Sequence, residues 1–142
     1  HLPKTEQSKI VEEVDAFEQV MDFPLVGGVM DYIGYLKKNN YKVGLVTSSH
    51  ELKMKRAFDV LNLSGIFDTV VTASRITQGK PDPMCYLLAA KELNANPSEC
   101  LVFEDSFHGV RATTIAKEYL QDKTDFVIAD FTNHLELVKL LD

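Results

Sequence analysis

No apolar run in the 142 residues approaches the roughly 20 positions that a helix needs to cross a bilayer, so a soluble chain with no membrane partner is expected. Positive charge is scarce. Fifteen Lys and Arg stand against 21 Asp and Glu, a formal net charge of −6 with a pI near 5.2. Broad electrostatic attraction to nucleic acid or an anionic surface needs a basic face and is therefore not expected. A small anion remains open if N–H groups, a Lys and a metal ion gather locally. Cysteine is limited to Cys85 and Cys100, which share no metal-ligand spacing. Buried, reduced thiols in a cytoplasmic protein are the reading. The chain opens on His1 and not Met, with no charged, apolar and small-residue leader behind it, so a fragment is expected and a signal peptide is not. Internal repeats and low-complexity segments are missing as well.

What is present is ordinary globular composition, 45% apolar and 25% charged, at a length suited to one domain. "KTEQSKIVEEVDAFEQVM" places Ile10, Val11, Val14, Phe17, Val20 and Met21 at helical spacing. Pro24, Gly27 and Gly28 break that pattern. A second helix follows through Val29, Ile33 and Leu36 and stops at a basic turn and two Asn. The chain then alternates: strand "KVGLVTSS", a helix with Leu52, Phe58 and Leu61 on one face, strand "FDTVVTAS", helix "DPMCYLLAAKELN", strand "CLVFEDS". Such alternation predicts an α/β fold with a parallel sheet covered by helices. "TTIA" after Ala112 reads in two ways. Either Val110 to Leu120 is one helix, or residues are missing between Ala112 and Thr113, the reading slightly favoured. "DFVIAD" predicts a last strand ending at Asp130.

In open parallel sheets ligands bind beyond the carboxyl ends of the strands, so the residues closing each apolar run carry the functional signal. Thr47, Ser48 and Ser49 close the first; their hydroxyls, with the free N–H groups of the next helix start, suit a phosphate. The plain alternative is that Ser49 caps that helix. Lys80 lies in a loop stiffened by Pro81 and Pro83, where a compact point charge could neutralise a phosphoryl group; the alternative is a solvated surface lysine. Glu104 and Asp105 follow four apolar residues. Adjacent carboxylates at a strand end suit a hard cation such as Mg²⁺, against the alternative of an Asp capping the helix that starts at Ser106 or Phe107.

Joined in chain order, T-S-S, K-P-D-P and E-D-S-x-x-G-V resemble the motifs of the haloacid dehalogenase (HAD) superfamily, in particular its β-phosphoglucomutase-like phosphatases and mutases. The resemblance runs from about Phe23 to Phe131. It implies a HAD-like three-layer α/β/α core, with residues 1–22 the end of a helical cap and 23–142 an incomplete core. Thr47, helped by Ser48 and Ser49, would bind the transferring phosphoryl group; Lys80 would bridge that group and a nucleophilic carboxylate; Asp105, with Glu104, would hold Mg²⁺. The superfamily's leading Asp-x-Asp pair, nucleophile and general acid/base, occurs nowhere in these residues. Its strand is expected upstream.

The resemblance thus implies a Mg²⁺-dependent phosphatase or phosphomutase acting on a small phosphorylated metabolite such as a sugar phosphate, through an aspartyl-phosphate. The 142 residues alone are expected to be inactive, as a monomer or weak dimer. Dehalogenase chemistry is the weaker alternative, since it leaves the Glu104–Asp105 pair without a purpose. A non-catalytic domain binding phosphate or a partner protein is the reading from another class.

Overall fold

The computed structural model describes residues 2–118; the strand expected at "DFVIAD", with Asp130, lies outside them. In chain order the elements are α1 (Lys4–Val20), α2 (Val29–Lys38), β1 (Gly44–Val46), α3 (Glu51–Leu61), β2 (Thr69–Val71), α4 (Met84–Glu92) and α5 (Phe107–Glu118), with single 3₁₀ turns at Ala73–Arg75 and Pro97–Glu99. Three helices stop where the chain turns left-handed at an Asn, namely Asn40, Asn62 and Asn94. Asparagine tolerates that conformation better than most residues and so ends a helix cleanly.

The strands β1 and β2 pair in parallel, with Gly44 opposite Thr69 and Val46 opposite Val71. Asp68 fixes the start of this register: its carboxylate accepts from Val43 N–H at 2.8 Å and from Lys37 at 2.7 Å. Val71 and Val46 face α4 and α5, where Cys85, Tyr86, Ala89 and Ala112 close the core with Ile76 and Leu88. Cys85 is buried, Cys100 half-buried, and both are free thiols. Among the described residues no helix is long and apolar enough to cross a membrane.

Two expectations need correction. "CLVFEDS" is not a strand among the described residues, whose sheet has two strands. Apolar composition makes a strand possible, but a ladder requires a neighbour to take its backbone groups. Leu101, Val102 and Phe103 stay substantially exposed. Leu52 is 83% exposed and does not share the inner face of α3. It precedes Leu61 by about two and a half helical turns, which puts it on the opposite side. "TTIA" falls within α5, Phe107–Glu118, in line with the one-helix reading.

The first helix shows the amphipathic pattern read from the sequence, yet it buries no residue. Glu18 ties it to α3 through Lys53 at 2.8 Å and through its carbonyl, which accepts from Arg56. Arg56 also lies over the Phe23 ring, 5.5 Å from its centroid.

Candidate active site

Parallel pairing brings the C-terminal ends of β1 and β2 to the same edge of the sheet. Thr47 N–H donates to Val71 O at 2.9 Å, and Ala73 N–H donates to Ser49 O at 3.1 Å. The Thr47–Ser49 turn is therefore sewn onto the end of β2. Within it, Thr47 Oγ1 accepts from Ser49 N–H at 3.1 Å, a local bond of the kind that holds hydroxyl turns. Ser49 does not cap α3. His50 occupies the cap position without a side-chain cap bond, so the first N–H groups of the helix keep no side-chain acceptor.

Lys80 lies in the loop between β2 and α4. Asp82 N–H donates to Gly79 O at 3.1 Å, and Asp82 Oδ1 accepts from Met84 N–H at 2.9 Å, which sets the entry to α4. Lys80 is not a solvated surface lysine. Its ammonium pairs with Glu104 Oε2 at 2.5 Å, with the two side chains only 11% and 10% exposed. It also stands 5.0 Å from the centroid of the Tyr86 ring, within cation–π range.

Glu104 is the centre of the cluster. Oε2 accepts from Lys80 and from the Tyr86 hydroxyl; Oε1 accepts from Ser106 N–H at 3.0 Å and Ser106 Oγ–H at 2.7 Å. An ionised carboxylate offers about four acceptor sites, and here four donors meet it. Burial pushes the Glu104 carboxyl up, but the bonds from Lys80, Tyr86 and Ser106 outweigh it and hold the carboxyl down at about 2. Burial, then the bond to Glu104, push the Tyr86 hydroxyl above the usual tyrosine range, so it remains a donor.

Because the native carboxyl titrates near 2, below its ordinary 4.5, it stabilises the fold above about pH 4.5. That contribution is lost as the pH falls toward 2. The loss expected is on the order of 3 kcal/mol, and Glu104→Gln should flatten this part of the stability profile in urea unfolding at stepped pH. A variant with the wild-type acid slope would contradict the assignment.

The start of α5 completes the cluster. Ser106, not Asp105, caps the helix: its Oγ accepts from Gly109 N–H at 3.0 Å. Gly109 leaves room for the carboxylate, since a Cβ there would sit 1.9 Å from Glu104 Cδ. Gly109→Ala is expected to push the carboxylate off Lys80 and Ser106 and return its titration toward the ordinary range, read by carbon NMR. Net stability should change less, because Ala gains about 1 kcal/mol of helix propensity over Gly. An unmoved Glu104 titration would refute the contact.

Asp105 is exposed and makes no hydrogen bond or ion pair among the described residues. An all-oxygen pair of carboxylates fits a hard dication, which takes one or two carboxylates and fills its shell with water and phosphate oxygens. Asp105 is open for that role, whereas a cation at Glu104 would have to displace one of four donors. No group of three or more metal-ligating side chains occurs among the described residues. The structure thus joins Lys80 to Glu104 and joins Thr47 to Ser49 at one sheet edge, with no hydrogen bond between the two groups. Sequence reasoning passes over Tyr86, and takes Gly109 only as the glycine of the motif E-D-S-x-x-G-V. A tyrosine inside the apolar run "MCYLLAA" was the available signal, since a buried hydroxyl must find a partner.

A family model described as haloacid dehalogenase-like hydrolase matches residues 2–114. Validoxylamine A 7'-phosphate phosphatase of Streptomyces hygroscopicus subsp. limoneus is 33% identical over 107 residues, 73% of this chain and 50% of that protein. The phosphorylated carbohydrates phosphatase of Thermotoga maritima is 36% identical over 89 residues, 63% of this chain and 41% of the relative. The chain spans half or less of the length of these relatives. The crystal structure of β-phosphoglucomutase from Clostridium difficile superposes with a TM-score of 0.74 at 26% identity, covering 99% of this chain and 68% of that one.

Proposed function

Since the chain belongs to the haloacid dehalogenase-like hydrolase family, we propose that it carries the phosphate-handling residues of a Mg²⁺-dependent phosphatase or phosphomutase acting on a sugar phosphate or similar small phosphoester. The observation that carries this reading is the Lys80–Glu104 ion pair, its two side chains only 11% and 10% exposed, with the open Asp105 next to Glu104 in the chain. The relatives named for validoxylamine A 7'-phosphate and for phosphorylated carbohydrates support the substrate class.

In this reading Lys80 neutralises the phosphoryl oxygens and the attacking carboxylate, a task for a fixed point charge in a water-poor site. Thr47 orients the phosphoryl group with Ser48 and Ser49, using hydroxyl donors and the open N–H groups at the start of α3. Asp105 holds Mg²⁺ with Glu104 beside it, and the bound ion would offset charge on the phosphoryl group. The nucleophile is an aspartate outside these 142 residues, which would form an aspartyl-phosphate; water or a sugar hydroxyl would then receive the group.

Phosphorus NMR of the whole protein with Mg²⁺ and hexose phosphates tests this. A growing inorganic phosphate signal marks a phosphatase, and migration to another ester position marks a mutase. A spectrum that stays unchanged across a broad panel would defeat the proposal.

A further inference from the structure

We propose that Tyr86 is a positioning residue, whose hydroxyl fixes the Glu104 carboxylate and whose ring carries Lys80, so that the lysine ammonium is presented in one place. This rests on the phosphoryl-transfer reading above for its functional consequence, but not for its geometry. Tyr86 lies in the first turn of α4 among Val71, Cys85, Ala89 and Ala112, a setting that asks for an apolar side chain. A hydroxyl there is costly unless it is bonded, and this one donates to Glu104 Oε2, the oxygen that also takes Lys80.

The lysine needs such a hold. Its four-carbon stem is flexible, and ordering it costs side-chain entropy. Two contacts on Tyr86 restrict it from different directions: the carboxylate that the hydroxyl steers, and the ring face 5.0 Å below the ammonium. Ser106 holds the opposite oxygen of the same carboxylate, so removing the hydroxyl lets Glu104 pivot about that remaining anchor. Phenylalanine would keep the packing and the ring while leaving the Lys80-bearing oxygen one donor short.

The test compares wild type, Tyr86→Phe and Tyr86→Leu of the whole protein, each assayed below its melting temperature. One readout is hydrolysis of p-nitrophenyl phosphate with Mg²⁺; the other is the ring-current shift of the Lys80 side-chain protons without metal. Tyr86→Phe is expected to lower kcat about 10-fold with KM within about twofold, as loss of a bond to a charged group implies. Its Lys80 protons should move toward their unstructured shift, and those of Tyr86→Leu should reach it. A merely structural tyrosine would lower the melting temperature while leaving kcat and the Lys80 shift of Tyr86→Phe at wild-type values, and that result overturns the inference. If the wild type turns nothing over, the phosphoryl-transfer reading falls, and the Lys80 shift alone decides the positioning claim.

Discussion

Lys80→Met is expected to destabilise the chain by about 3–5 kcal/mol at neutral pH, because it leaves the Glu104 carboxylate buried without its counter-charge. The methionine can fill the space of the lysine stem, so the loss is one of charge and not of packing. Tyr86 and Ser106 still donate to the carboxylate, but neither neutralises it. Two features separate this from an ordinary packing defect. The difference from wild type should narrow below about pH 4.5, where Glu104 protonates on unfolding and the pair contributes less. A Lys80→Met, Glu104→Gln double variant should recover most of the loss, since both charges are then gone. Urea unfolding of the four proteins at pH 7 and pH 3 checks both; a single variant as stable as wild type would show that the pair is solvated in solution.

Asp105→Asn should produce the opposite profile, an intact fold with crippled chemistry. The side chain is exposed and makes no hydrogen bond or ion pair among the described residues, so unfolding should change by no more than about 0.5 kcal/mol. An amide offers a neutral oxygen where a hard dication takes a carboxylate, so Mg²⁺-dependent turnover is expected to fall about 100-fold or more. Steady-state kinetics across a Mg²⁺ series would check it. Wild-type turnover at saturating Mg²⁺ would refute the metal role of Asp105.

The alternation of α2, β1, α3, β2 and α4 was legible because each element carries its own local signal. The apolar runs "GLV" and "TVV" give strands, and Asn40, Asn62 and Asn94 supply the stops. The run "CLVF" carried an equally strong strand signal and is no strand among the described residues, since pairing depends on a neighbour and not on composition. The strand-end rule singles out both Lys80 and Glu104, 24 residues apart, as parts of one site, but no spacing shows that the two pair directly. Their meeting follows from the packing of α4 and α5 on Val71, a tertiary fact. Ser49 was weighed as a cap because Ser so often is one; the chain instead starts α3 one residue later and spends the Ser49 carbonyl on Ala73. Tyr86 escapes notice for a related reason: it matters through Glu104, 18 residues away, which no local window containing it reveals. Gly109 stands in the same motif as Glu104, but its role, leaving room for that carboxylate, shows only in the packing.

In the proposed reading Thr47, Ser48, Ser49 and Lys80 receive a phosphoryl group together with a divalent cation at Asp105. Titrating inorganic phosphate into the isotope-labelled whole protein, with and without Mg²⁺, tests it most directly by NMR. Saturable shifts are expected at the Thr47, Ser48 and Ser49 amides and at the Lys80 side chain, with phosphate binding tightened by Mg²⁺ in wild type and not in Asp105→Asn. Shifts that avoid these residues, or phosphate binding indifferent to Mg²⁺, would contradict it.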